Sequence, residues 1–168
     1  MRRRGFLVAG MAGSTLLAVA GWWAVSRRAT TTALAPDGEI IVRAIVPAML
    51  AGALPSGTAA RANAIDETVV NVARAIGGLP PASRVELERL FALLSLPPAR
   101  RAFANVASPW QEAPEAEITA FLDAWRDSGW ALKRSAYDAL HQLVIAAWYG
   151  NEASWARIGY PGPPVIGA

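Results

Sequence analysis

Between residues 37 and 149 the apolar positions recur every three to four residues, in blocks cut by glycine and proline, and no block alternates at period two. That spacing puts one apolar stripe on each of several helices and predicts an all-α bundle of five or six helices. The first block runs from about Gly38 to Leu54, with Asp37 as its expected N-cap. Ile40, Ile41, Ala44, Ile45, Ala48 and Met49 make its stripe so wide that it reads as the central buried helix, with Pro47 bending or splitting it.

A second helix is expected over Arg61 to Ile76, with Ile65, Val69, Val72, Ala73 and Ile76 inward, Asp66 and Glu67 solvated, and Gly77-Gly78 as its stop. Ser83 followed by Glu86 has the spacing of a capping box ahead of Leu87, Leu90, Phe91 and Leu94, which marks the third. Pro97-Pro98 breaks the chain before a short helix from Ala99 to about Ala107 that sets Phe103 and Val106 on one side. Ser108 to Pro114 reads as a loop bearing Trp110. Glu115 and Glu117 then open a helix whose Ile118, Phe121, Leu122 and Trp125 face inward. After the turn at Asp127-Ser128-Gly129, a last long helix from Trp130 to Tyr149 aligns Arg134, Tyr137, Leu140, Val144, Ala147 and Trp148.

Both ends of the chain depart from this pattern. Met1-Arg2-Arg3-Arg4 is basic, Gly5 to Val25 carries no charge, and Arg27-Arg28 restores positive charge, so residues 1–28 have the three-part layout of an export signal. Within it Arg3 and Arg4, one spacer, and then Phe6 and Leu7 resemble a twin-arginine signal, and glycines dilute the hydrophobic run that follows. A general secretory signal with extra arginines is the competing reading. Ala18-Val19-Ala20 fits cleavage after Ala20, whereas residues 5–25 are also long enough, at about 1.5 Å each, to span the roughly 30 Å core of a bilayer. Removal and retention as a signal-anchor helix are both open, and either puts the body in the periplasm, free or held at the inner membrane. Residues 29–36 form a linker, 37–149 the helical domain, and 150–168 a Pro/Gly/aromatic tail.

Charge and composition then remove function classes. The chain of 168 residues carries a formal net charge of +3, but without the five arginines of its leader the body has 11 basic against 13 acidic side chains. A nucleic-acid footprint is therefore not expected. No cysteine is present, which rules out disulfides, thiolate zinc and self-ligated iron–sulfur clusters. With His141 the sole histidine, neither a histidine metal cluster nor a Ser-His-Asp triad can be assembled. The carboxylates pair only as Asp66-Glu67, Glu86 with Glu88, and Glu115 with Glu117, at helix starts or on wet faces. No catalytic, cofactor or metal residue is expected, and the chain is not read as an enzyme on its own.

All five tryptophans of the body, Trp110, Trp125, Trp130, Trp148 and Trp155, lie in its C-terminal half, and the tail ends in Tyr160-Pro161-Gly162-Pro163-Pro164, stiff and ring-bearing. Such rings either close a small core or anchor an interface. The expected contact residues are Trp148, Tyr149, Trp155, Ile158, Tyr160, Pro161 and Pro163.

The twin-arginine leader, Ile45-Val46-Pro47 in the first helix, and Ala147-Trp148-Tyr149-Gly150-Asn151-Glu152-Ala153-Ser154-Trp155-Ala156-Arg157-Ile158-Gly159-Tyr160-Pro161-Gly162-Pro163 together resemble gluconate 2-dehydrogenase subunit 3. That family supplies the small subunit of bacterial membrane-associated flavin dehydrogenases. The resemblance implies a noncatalytic chain beside a large FAD-dependent subunit of the glucose-methanol-choline type, with a c-type cytochrome as a further subunit. FAD and haem c would belong to those partners, and the twin-arginine export machinery would read the leader. Ala48 to Gly52 is apolar where the family carries a polar turn, so the resemblance assigns no substrate. The alternative is a membrane-tethered periplasmic helical adaptor unrelated to a dehydrogenase.

Overall fold

The computed structural model describes residues 34–155 and 159–162. The leader with Arg3, Arg4, Phe6 and Leu7, most of the linker, Ile158 and Pro163 lie outside the described residues. Those described form seven helices and no strand: α1 (Pro36–Met49), α2 (Thr58–Gly77), α3 (Pro81–Ser95), α4 (Pro97–Ala99), α5 (Glu115–Arg126), α6 (Ala131–Tyr149) and α7 (Glu152–Trp155). A π-helical turn, Arg100–Ala104, continues directly from α4.

Helix α1 is the hub, packed against α2, α3, α5 and α6. Its buried face is centred on Ile41, Val42, Ile45 and Val46, each 0–1% exposed, while Ile40, Ala44, Ala48 and Met49 flank it half-buried. The helix begins earlier than expected. Pro36 occupies its first turn after Ala35 as N-cap, and Asp37 sits inside that turn without capping it. Proline's preset φ suits this position, and the acids Asp37 and Glu39 face the positive end of the helix dipole. Pro47 does not split α1: the helix runs unbroken from Pro36 to Met49, ends two residues beyond the proline, and Leu50 closes the last turn by donating its N–H to the Val46 carbonyl at 2.9 Å. Lacking an N–H, proline gives up the helical bond to the carbonyl four residues back, and here that loss falls once, near the end of the helix.

A similar correction applies to α3. Pro81 opens it with Pro80 as N-cap, so Ser83 falls inside the first turn and makes no capping bond. Its core residues Leu87, Phe91 and Leu94 are nevertheless buried as the spacing requires. Close approach is built in at Gly38: a Cβ there would meet Leu34 Cδ1 at 2.7 Å and the Phe91 ring at 3.3 Å, so the missing side chain lets α1 settle on α3.

The segment after Pro97 departs most from expectation. Instead of one short helix to Ala107, three helical residues give way to the π-helical turn, which ends at Asn105 in the left-handed region with φ 55°. Val106 is fully buried, but Phe103 is 39% exposed, so the two do not share a face. Arg100, only 7% exposed, explains the distortion. Its Nε donates to the Val106 carbonyl at 3.3 Å and its Nη2 to the Ala107 carbonyl at 3.2 Å. From the other side a Glu117 carboxylate oxygen accepts the Ala107 N–H at 2.6 Å. The chain at 106–107 is thus gripped by one cation through its carbonyls and one anion through its amide, which satisfies backbone groups that the broken helix would leave bare.

The Ala107 amide holds the Glu117 carboxyl below its ordinary value of 4.5. A lowered carboxylate contributes stability above its unfolded pKa and loses that contribution as pH falls through the folded one. The loop at 105–108 should therefore loosen as acid takes the pH below the ordinary carboxylate range. The expected result is an Ala107 amide resonance that titrates in that window, and a Glu117→Gln chain whose Ala107 resonance does not.

Aromatic packing completes the core. Trp110, expected on a loop, is 4% exposed and donates its indole N–H to the Leu94 carbonyl at 2.9 Å. Phe121 meets Trp110 edge-on at 5.8 Å and Trp125 at 4.8 Å between ring centroids. Trp125 in turn donates its N–H to the Phe103 carbonyl at 2.8 Å. These three rings on α5 and its approach loop join the α3 end of the bundle to the π-helical turn. On α6, Leu140, Val144, Ala147 and Trp148 are buried, Tyr137 is half-buried and Arg134 is exposed, so the inward band is narrower than the sequence spacing predicts.

Candidate partner interface

The C-terminal end of α6 is where the tail meets the body. Trp148, expected among the contact rings, is 4% exposed and belongs to the core, so its ring closes the bundle and offers no surface. Among the described residues its buried indole N–H has no hydrogen-bond acceptor. The neighbouring Tyr149 points outward, 43% exposed.

Beyond Gly150 the chain does not run on as a straight ribbon. Asn151 caps a single helical turn, α7, by accepting the Ala153 N–H on its side-chain oxygen at 3.1 Å. Ser154, 1% exposed, sets its hydroxyl 2.8 Å from the Trp148 carbonyl and 2.7 Å from that of Asn151, so the turn is tied to the end of α6. Trp155 folds back and donates its indole N–H to the Tyr149 carbonyl at 2.7 Å. Tyr160 then packs edge-on against Trp155 at 5.3 Å between centroids, and its N–H reaches the Trp155 carbonyl at 3.0 Å. Glycine is required at 162: φ is +98°, and a Cβ would stand 3.3 Å from the Trp155 ring.

The result is a half-buried Trp155 framed by Tyr149, Tyr160 and Gly162, with Tyr160 44% exposed and Pro161 exposed beside it. Of the expected contact residues, Tyr149, Trp155, Tyr160 and Pro161 are brought together. Two contributors from α2 were not singled out in the sequence. Glu67, read as merely solvated, accepts from the Asn151 side-chain amide at 3.2 Å, and Asn71 approaches the Ala147 carbonyl at 3.5 Å. Val70, on the same helix between them, is 58% exposed. The signal for the fold-back was present in Asn151-Glu152-Ala153-Ser154, an Asx cap followed by a small polar residue, but the prolines that follow it dominate a reading by composition.

Chemically the patch offers rings, a proline and hydrogen-bonding edges. Such surfaces bury large area with less side-chain entropy lost where a ring is already held in place, as Trp155 is by its indole bond and Tyr160 by its contact with Trp155. His141 lies stacked on Tyr137 at 5.6 Å between centroids. Among the described residues no group of three or more His, Cys, Asp or Glu could hold a metal ion, and no helix is long and apolar enough to cross a membrane. No family model, no curated protein and no solved structure matches this chain.

Proposed function

We propose that this chain is the noncatalytic small subunit of a periplasmic, membrane-associated FAD-dependent dehydrogenase of the glucose-methanol-choline type. In this role it carries the export signal and stabilises the large flavoprotein subunit. The observation that supports the reading is the ordered ring cluster at the C-terminal end of α6. Trp155 is fixed by its indole bond to the Tyr149 carbonyl and Tyr160 packs edge-on against it, while the phenol rings of Tyr149 and Tyr160 stay largely in solvent. Rings pre-positioned in this way lose little entropy on docking, which favours a stable subunit contact.

The leader supports the other half. A flavoprotein that takes up FAD in the cytoplasm crosses the membrane already folded, and the twin-arginine route carries folded cargo. A paired-arginine signal on the small chain then serves both subunits. FAD and haem c are assigned to the partner subunits, the second to a c-type cytochrome.

The test is Arg3→Lys together with Arg4→Lys. Charge is kept, but the planar guanidinium fork is lost, so a receptor that reads the pair by geometry rejects the variant while a general secretory route tolerates it. In cells expressing both subunits, the expected result is that this chain and the flavin of its partner both remain in the cytoplasmic fraction. A partner that reaches the periplasm beside a retained small chain contradicts the escort role.

A further inference from the structure

A second exposed apolar group stands at the opposite end of α6 from the tail. Leu132 is 68% exposed, Trp130 55% and Phe103 39%. They share one end of the molecule: the Trp125 indole is bonded to the Phe103 carbonyl at 2.8 Å, and the turn that follows Trp125 is tight, with the Ser128 N–H on the Trp125 carbonyl at 3.3 Å. Helix α6, 19 residues long, carries this end about 28 Å from Tyr149, so the two ring groups serve different contacts.

Charge distinguishes this end from the rest of the body. Arg101 precedes Phe103 by two residues, Arg126 stands at the end of α5, and Lys133 and Arg134 directly follow Leu132, the Arg134 guanidinium donating to the Ser128 carbonyl of the same turn at 2.5 Å. The only acids in the same stretch of α5 and the turn, Asp123 and Asp127, are both engaged by Arg126, at 2.9 and 3.1 Å. With Asp138, one turn beyond Arg134 on α6, counted as well, four basic residues stand against three acidic ones, so the surplus is still positive on a body with 11 basic and 13 acidic residues. Exposed Trp and Leu set among Arg and Lys match the chemistry of an anionic lipid surface: the indole suits the headgroup boundary, leucine enters the acyl region, and the cations meet phosphates.

The length of chain ahead of the body limits how far the body can stand from a membrane. Residues 26–33 separate the uncharged run ending at Val25 from Leu34 and extend to at most about 28 Å. Leu34 is anchored beside Phe91 of α3, the helix that leads through α4 to the turn bearing Phe103. We infer that the α5–α6 turn and the π-helical turn lie against an anionic membrane, with Trp130 and Leu132 inserted and Arg101, Lys133 and Arg134 on the headgroups. The inference rests on residues 5–25 being a retained membrane segment, as the proposed role at the inner membrane allows.

The chain has no cysteine, so a single Leu132→Cys in the full chain takes one environment-sensitive fluorophore, and Val70→Cys, on an exposed site of α2, serves as the reference. Each is reconstituted with phosphatidylcholine vesicles with and without phosphatidylglycerol, using brominated acyl chains as quencher. The expected result is quenching at 132 at least several-fold stronger than at 70. That difference should collapse when phosphatidylglycerol is omitted or when Lys133 and Arg134 are both changed to Gln. If the chain floats with the vesicles but the probe at 132 is no more quenched than that at 70, the tether stands and the contact is overturned. A chain that does not float overturns both. A probe at 132 shielded without vesicles, in a concentration-dependent way, shows a second copy there and also overturns the inference.

Discussion

Phe121→Ala should remove the cooperative thermal transition of the body, or lower it until the chain is unfolded at growth temperature. The ring is 2% exposed and stands between Trp110 and Trp125, so its loss strips edge-on contacts from both and leaves a void that neither indole can fill while bonded to its carbonyl. Phe→Ala in a closed core costs about 3–5 kcal/mol, against a total stability of about 5–15 kcal/mol for a domain of this kind. Circular dichroism melts of the variant and parent chain measure the difference directly. Phe121→Leu, which keeps most of the volume, should retain a single transition at a modestly lower temperature. A variant that melts like the parent would mean that the ring cluster does not hold α5 to the α3 end of the bundle.

The opposite outcome is expected at the C-terminal end. Tyr149→Ala with Tyr160→Ala should leave the melt within about 1 kcal/mol of the parent, because both rings are about half-exposed and surface substitutions cost little. The same pair should weaken capture of the flavoprotein subunit strongly. A tyrosine buried at the centre of an interface contributes about 2 kcal/mol or more, roughly 30-fold in affinity for each ring. Titration of the two purified subunits against each other reads this directly. Unchanged affinity would remove the ring cluster from the interface, whereas Trp148→Ala is expected to fail in the melt first, since that ring lies in the core.

Periodicity carried the helical class and most inward positions. Ile41, Ile45, Val69, Val72, Leu87, Phe91, Phe121 and Val144 are all buried where a 3.6-residue spacing places them. Helix starts were harder to read. Pro36 and Pro81 each open a helix through a preset φ, while nearby Asp37 and Ser83 look like caps and are not. Local sequence offers two valid starts within three residues, and packing against neighbouring helices selects one. The π-helical turn was invisible for a different reason: it depends on Arg100 reaching the carbonyls of 106 and 107 and on Glu117 arriving from another helix. Only half of the candidate interface was legible. Tyr149, Trp155, Tyr160 and Pro161 stand together as ring-rich composition indicates, but Trp148 turned inward because a helix places adjacent residues about 100° apart, so neighbours at 148 and 149 face different sides. The contribution of Glu67 from α2 joins residues 84 positions apart and leaves no local trace.

The account stands most directly on what accompanies this chain in its own membrane. Mild detergent extraction and affinity purification of the full chain at native expression levels, followed by an absorbance spectrum and mass determination, provide that measurement. The predicted result is a stoichiometric complex with a much larger subunit that shows the flavin spectrum and dehydrogenase activity, and from which the Tyr149→Ala, Tyr160→Ala chain is released. A colourless preparation containing this chain alone, or only partners without flavin, would contradict it.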